Sequence, residues 1–241
     1  ISAVDAVGPL LSVASRANDR AAEHSLIYAL IEIGNAERVR PALTDADPRV
    51  QQAALIALDQ MPGGGLQAAD VRPLLDSDND VLRETAWWIA EQHLEWAPEL
   101  ADYFRDAVPH TPVDPENLQQ LASRLARFAG HPDIQRTMAE VLADGSLPAA
   151  TQVAVIDAMS STRLEELPEA WSRALDEALV TADATVLAAV VQDVATLSGS
   201  NLSETFIRRL QNIASDDRLP DPVRLQALIA LPAAQRGIDD S

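Results

Sequence analysis

The sequence contains no cysteine and no lysine in 241 residues, and only 4% of its residues are aromatic. Without cysteine there is no disulfide, no thiolate nucleophile and no cysteine-based zinc site. Without lysine there is no Schiff-base chemistry. The apolar content of 47% therefore consists mainly of Ala, Leu, Val and Ile. Small and aliphatic side chains at helical spacing suit closely packed helices better than a β-sandwich.

Motifs for common chemistries are also missing. The sequence has no H-E-x-x-H, P-loop, G-x-G-x-x-G, G-x-S-x-G or calcium-loop pattern. Glu91, His93 and Glu95 alternate along one stretch, but residues two apart on a helix do not converge on one ion. We therefore predict no catalytic residue, no cofactor site and no metal site, and we expect that the chain is not an enzyme.

Positive charge is scarce as well. The chain has 37 acidic and 18 basic residues, which gives a formal net charge of −19. Such a surface repels phosphate backbones and anionic membranes, so a nucleic-acid partner is disfavoured. No apolar run approaches the roughly 18–20 residues that a membrane-spanning helix needs, so we expect no membrane insertion by this segment. A basic, neutral or amphipathic protein partner remains compatible with the charge.

Internal similarity is the main positive feature. The segment DPRVQQAALIALDQM (47–61) aligns with NDVLRETAWWIAEQH (79–93), and LPAATQVAVIDAM (147–159) aligns with LPDPVRLQALIAL (219–231). Apolar residues recur four positions apart in each segment, which is the pattern of one helix face. Shorter amphipathic stretches alternate with these helices. The pattern predicts that the second helix of each pair starts near residues 19, 48, 80, 115, 148, 184 and 221.

Repeats of roughly 30–40 residues with two helices each are typical of an α-solenoid. We predict an all-α fold, a right-handed α–α superhelix of about seven helical pairs, as a single array over residues 1–241. The dipeptides Asp47-Pro48 and Asp221-Pro222 predict helix starts with aspartate as N-cap. The stretch VPHTPVDPEN (108–117) holds three prolines and predicts an irregular connection inside the array. A boundary between two subdomains there is the alternative.

The segments DPRVQQAALIAL and DPVRLQALIAL resemble HEAT repeats of the short bacterial type. The stretch AAEHSLIYALIEIGN (21–35), with VRPALTDADPRVQQAALIALDQM after it, resembles the HEAT region of large planctomycete-type membrane-bound dehydrogenases. In those proteins a sugar-dehydrogenase-like β-propeller precedes the HEAT array and a c-type cytochrome follows it. The resemblance implies a non-catalytic scaffold or interdomain spacer between those domains, and a periplasmic or exported location. The chain itself has no C-x-x-C-H and hence no haem attachment.

The ends of the sequence favour a fragment of a larger multidomain protein. The chain begins at Ile1 rather than at a methionine, and its polar end (234–241) has no fold signal. The alternative is a free-standing HEAT module that binds peptides or proteins. Two solenoid enzymes offer further resemblances. HEAT-like DNA alkylation-repair glycosylases need a basic groove, which the charge disfavours, and no motif here requires the tetrapyrrole chemistry of HEAT-repeat phycobilin lyases.

Three of the four tryptophans fall in RETAWWIAEQHLEW, residues 83–96. Adjacent residues on a helix point about 100° apart, so Trp87 and Trp88 lie on opposite shoulders of the inner stripe. We interpret Trp87 as packing between repeats, whereas Trp88 lies on the side of the glutamates. The predicted inner stripe consists of Leu82, Ala86, Ile89 and His93.

The repeat register aligns Trp88 with apolar residues of earlier repeats. Equivalent positions hold Tyr28, Ile56 and Trp88, and then Arg124, Asp157, Gln192 and Ile229. In HEAT arrays the second helices line the concave surface, so the resemblance places this register there. We predict a groove for a basic or amphipathic partner segment, formed by Tyr28, Ile56 and Trp88 and edged by Glu84, Glu91 and His24. The alternative is that these side chains contact neighbouring repeats and bind nothing.

Overall fold

The computed structural model describes residues 3–16, 19–162, 164, 166–181, 183–197 and 203–231, so the polar end of the chain lies outside the described residues. The described residues contain helices and turns and no β-strand, which confirms the predicted all-α fold. The α-helices are α1 Val7–Ala14, α2 Arg20–Ile33, α3 Ala36–Val39, α4 Pro48–Gln60, α5 Ala68–Val71, α6 Asp80–Ala90, α7 Ala97–Ala107, α8 Pro115–Phe128, α9 Pro132–Ala143, α10 Ala149–Ser161, α11 Glu169–Thr181, α12 Ala184–Leu197, α13 Glu204–Ser215 and α14 Asp221–Ala230. The 3-10 helices are Ala3–Ala6, Arg40–Thr44, Arg72–Leu74, Leu94–Trp96 and Val108–His110.

The chain forms two compact units, residues 1–100 and 101–241. In the first unit, α4 packs against α2 on one side and α6 on the other, with α1 and α3 also against α4. In the second unit, α8, α10, α12 and α14 pack in sequence, and α9, α11 and α13 form a second row. Each unit therefore consists of stacked helical pairs, the arrangement of an α-solenoid. The right-handed sense of the superhelix and a single array over 1–241 stay predictions.

The second helix of every pair starts within one residue of its predicted position. Side-chain caps explain most of these starts, because a cap oxygen satisfies a backbone N–H that has no partner within the helix. The Asp47 carboxylate accepts from the Arg49 N–H at 2.9 Å, with Pro48 at the first helical position. The predicted Asp221 cap is wrong by one residue. Helix α14 begins at Asp221 itself, and Pro220 is its N-cap without a side-chain bond.

The irregular connection at 108–117 is shorter than predicted. A 3-10 turn, Val108–His110, follows α7 directly, and α8 already begins at Pro115. Proline is tolerated at a first helical position because the N–H it lacks would have no partner there. The Asp114 carboxylate supplies the cap by accepting from the Asn117 N–H at 3.1 Å. Only residues 111–114 lie outside helical structure in this stretch.

One arginine ties neighbouring repeats of the first unit together. The Arg40 guanidinium lies 2.6 Å from the Asp70 carboxylate and donates to the carbonyl oxygens of Gly64 and Gly65 at 3.1 and 2.7 Å. These contacts hold the loop between α4 and α5 in a tight turn. A Cβ at Gly64 would lie 1.9 Å from the Leu58 carbonyl oxygen. This oxygen belongs to the backbone and cannot rotate aside as a side chain can. The turn therefore requires glycine at position 64.

We predict that Gly64→Ala lowers the free energy of unfolding by about 3 kcal/mol, since the added methyl group forces the backbone apart. Urea unfolding followed by circular dichroism measures the change. Gly145→Ala is the matched control, because a Cβ there has no atom within 4 Å. Equal stability of the two variants would show that the turn adapts to a side chain.

Candidate functional site

The two adjacent tryptophans of α6 have different environments. Trp87 is 2% exposed, and its indole Nε1 donates to the Leu75 carbonyl oxygen at 3.1 Å. The interpretation of Trp87 as packing is therefore confirmed. Trp88 is 46% exposed. The other two tryptophans, Trp96 and Trp171, are buried, so Trp88 is the exposed one of four that all lie in the described residues.

Trp88, Ile56 and Glu84 lie together, as the repeat register predicts. They line a shallow depression of about 430 Å³ on the surface where α4 and α6 meet. Val81, which is 60% exposed, also lines the depression, although it was not among the predicted site residues. Asp80 and Thr85 complete the lining. The depression is thus an apolar floor with carboxylates at its edge.

A second depression of about 680 Å³ lies on α2 and α4 and contains His24. It shares Ile56 and Val81 with the first, so the two are continuous. Its remaining lining combines charged residues such as Glu23 and Arg20 with apolar ones such as Leu26. We call the combined surface the α2–α4–α6 groove. It is apolar at the α6 end and charged at the α2 end.

Tyr28 and Glu91 line neither depression. Tyr28 is 57% exposed on α2, and a hydrogen bond with Glu32, together with the charge of that carboxylate, raises the pKa of the Tyr28 hydroxyl. Glu91 follows the last residue of α6 and is half-buried. The structure therefore brings together four of the six predicted site residues, namely His24, Ile56, Glu84 and Trp88.

Two side-chain links cross the boundary between the repeats that carry the apolar end of the groove. The Gln52 amide on α4 donates to the Thr85 hydroxyl on α6 at 3.0 Å. One helical turn beyond Ile56, the Asp59 carboxylate lies 2.7 Å from Nε2 of His93. Ile56 thus lies between the two linked positions on α4.

His93 does not lie on the inner stripe of α6, so that prediction is wrong. The helix ends at Ala90, so His93 lies in the following turn, stacked on Trp96 with 4.1 Å between ring centroids. Its Nδ1 lies 2.7 Å from the Glu95 carboxylate. Partial burial acts to lower the pKa of His93, but the hydrogen bonds to Asp59 and Glu95 outweigh it and raise that pKa.

Among the described residues, no three or more His, Asp or Glu side chains lie close enough together to hold a metal ion. None of their helices is both long enough and apolar enough to cross a membrane.

The same register is polar at Arg124, Asp157 and Gln192 of the second unit. Asp157 lines a depression of about 480 Å³ on α8 and α10 together with Leu118 and Ala154. The Asp157 side chain is hydrogen-bonded to that of Asp193 on α12. Burial raises the pKa of both carboxyls, and the charge of Asp157 raises that of Asp193 further. Both carboxyls are therefore harder to ionise than free ones, and their ionised forms repel each other.

We predict that Asp157→Asn stabilises the protein by up to about 1 kcal/mol at about pH 7.5, where the amide donates to Asp193 and one repelling charge is removed. The raised pKa values mean that the native pair is most stabilising at low pH and loses this as pH rises. The gain is therefore expected to shrink at about pH 4. Urea unfolding at both pH values measures it.

The control for this prediction is Asp78→Asn, which removes one charge from an exposed turn. An equal gain in the control would assign the effect to the net charge of −19 rather than to the Asp157–Asp193 pair.

No family model and no curated protein matches this chain. Solved structures similar to it include an engineered protein, at 19% identity and a TM-score of 0.39, over 94% of this chain and 63% of that one. Another is a computationally designed armadillo repeat protein for modular peptide recognition, at 17% identity and a TM-score of 0.33, over 95% of this chain and 92% of that one. The chain thus spans less than two thirds of the first of these. The assignment of the fold rests on the helices described above rather than on these likenesses.

Proposed function

We propose that the chain is a non-catalytic protein-interaction scaffold that holds a basic or amphipathic segment of a partner protein in the α2–α4–α6 groove. The observation that carries this proposal is the exposure of Trp88 and Val81, 46% and 60%, beside Ile56 on one continuous surface. Large apolar side chains that cluster on a surface mark interaction sites, whereas single exposed ones need no explanation.

The energetic case depends on Trp88. A partly exposed tryptophan on a well-packed helix is the kind of residue that dominates binding energy at protein interfaces. The helix is well packed because Ala86, Trp87 and Ile89 are buried at 0–2% exposure. Covering Trp88 with an aliphatic side chain removes apolar surface from water at about 25 cal/mol per Å². The partner segment therefore needs an aliphatic or aromatic anchor.

The charge around the groove selects the flanks of that segment. Glu84 lies at the apolar end and Glu23 at the other, and the whole chain has a net charge of −19. Arginine or lysine beside the anchor is attracted to such a surface, and the attraction weakens with salt. Arg20 and Arg49 also line the α2 end, so the acidic character is strongest near Trp88.

The alternative in which Trp88 only contacts neighbouring repeats is less well supported. Helix α4 already packs beside α6, and nearly half of the Trp88 side chain is still exposed. The role as spacer between a dehydrogenase propeller and a cytochrome stays a prediction that depends on the sequence resemblance. The dehydrogenase and cytochrome domains that it requires are not part of this chain.

We predict that a synthetic peptide with leucines flanked by arginines binds the groove, and that Trp88→Ala weakens this binding at least about tenfold. Fluorescence anisotropy of the labelled peptide gives the affinity, and acrylamide quenching of tryptophan shows whether Trp88 becomes covered. Peptides of equal length, one with glutamate in place of arginine and one with serine in place of leucine, are expected to bind weakly.

Val180→Ala is the matched control, because Val180 is 64% exposed on α11 and lines neither depression of the groove. It is expected to leave peptide affinity unchanged. If Trp88→Ala lowers stability while the peptide still binds with native affinity, Trp88 serves packing and the proposed site is wrong.

A further inference from the structure

His93 is held between two carboxylates in a way that only its protonated form satisfies. Its Nε2 lies 2.7 Å from an Asp59 oxygen, and its Nδ1 lies 2.7 Å from a Glu95 oxygen. A neutral imidazole has one N–H and one lone pair, whereas the imidazolium ion has two N–H donors. An ionised carboxylate accepts but cannot donate. Beside two ionised carboxylates, both contacts are therefore hydrogen bonds only when His93 carries a positive charge.

The surroundings of His93 support that charge. Asp59 comes from α4 and has a side chain only 10% exposed, and Glu95 comes from the 3-10 helix after α6 with a side chain 67% exposed. Glu91 is the remaining charged side chain on the turn that leads to His93. The Trp96 ring is stacked on the imidazole at an interplanar angle of 9°, and the face of an indole attracts a cation.

The position of this contact connects it to the groove. Gln52 and Asp59 flank Ile56 on α4, and each is linked to the following repeat, Gln52 through Thr85 and Asp59 through His93. Trp88 lies between Thr85 and His93 in sequence. The Gln52–Thr85 link joins an amide to a hydroxyl and does not change with pH, whereas the Asp59–His93 link depends on a proton.

We propose that His93 regulates the α2–α4–α6 groove: its imidazolium fixes the spacing of Ile56 and Trp88, and affinity for the partner segment falls when His93 loses its proton. This inference rests on the proposed function of the groove. When the ring is neutral it keeps one N–H, so one of the two contacts loses its hydrogen bond and the other loses the charge that strengthened it. The link between Asp59 and His93 is therefore weaker in either tautomer, and the end of α4 then depends more on the Gln52–Thr85 link.

The direction of the pH response follows from the same contacts. Because the folded state raises the pKa of His93, the link is fully formed below the ordinary pKa of histidine and is lost as pH rises through the raised value. A rise in pH can only make a surface more negative. A fall in affinity for an arginine-containing peptide from mildly acidic to mildly alkaline pH therefore cannot come from loss of acidic charge.

The test measures binding of the leucine–arginine peptide between about pH 6 and about pH 9. Native protein is expected to lose about fivefold in affinity across this range. His93→Gln and Asp59→Asn are expected to bind weakly with a flat pH profile. His24→Gln is the matched control, because His24 lines the same groove without the two-carboxylate contact, and it should keep the native pH response.

A second readout follows the proton directly. Trp96 is stacked on His93, and an imidazolium quenches the fluorescence of an indole in contact with it. The total tryptophan fluorescence of the Trp88→Phe variant, to which Trp87, Trp96 and Trp171 contribute, is therefore expected to rise over the pH range in which the native protein loses binding.

The outcomes separate the two proposals. Binding that depends on Trp88 but not on pH would overturn the role of His93 and leave the groove intact. A pH response that is abolished in His24→Gln and kept in His93→Gln would assign the proton to His24 and overturn the inference. Absence of peptide binding at every pH would reject the groove and its regulation together.

Discussion

The packing of each second helix between two others is the constraint on which the rest of the structure depends. Helices can approach closely only where the side chains between them are small. On α4 and α6 these are alanines, and the exposures of Ala54, Ala57, Ala86 and Ala90 are all 0%. Two opposite faces of such a helix are then occupied by its neighbours. What remains for function is one narrow strip of register positions along each second helix.

The chemistry of that strip differs between the two units. In the first it contains Ile56 and the exposed Trp88, and in the second it contains Asp157, whose carboxyl is hydrogen-bonded to that of Asp193. The same helical frame thus presents an apolar surface in one unit and a carboxyl pair in the other. A repeat fold permits this because residues on the strip do not pack in the core, so substitutions there leave the repeats unchanged.

Local patterns predicted the fold well and the site only in part. Helix starts depend on apolar period and on caps such as Asp47 and Asp114, which act within a few residues. The pairing of Ile56 with Trp88 followed from the repeat register. Val81 was not predicted because its own segment does not show whether a neighbouring helix covers its side chain. The position of His93 was wrong because its helix ends early, and its partner Asp59 lies in the preceding repeat.

The titrating groups of the two units act in the same direction although their charges differ. His93 and the Asp157–Asp193 pair all have raised pKa values, so each contributes most at low pH and loses that contribution as the pH rises. The turn aspartates oppose this at lower pH. Hydrogen bonds with Arg218 and the charge of that residue lower the pKa of Asp216 to about 2. Hydrogen bonds with Asn117 lower the pKa of Asp114. Their contribution is lost as pH falls through those lowered values. The groups with raised pKa values and the turn aspartates therefore oppose each other as the pH falls, and the pH dependence of stability is set by the balance between them.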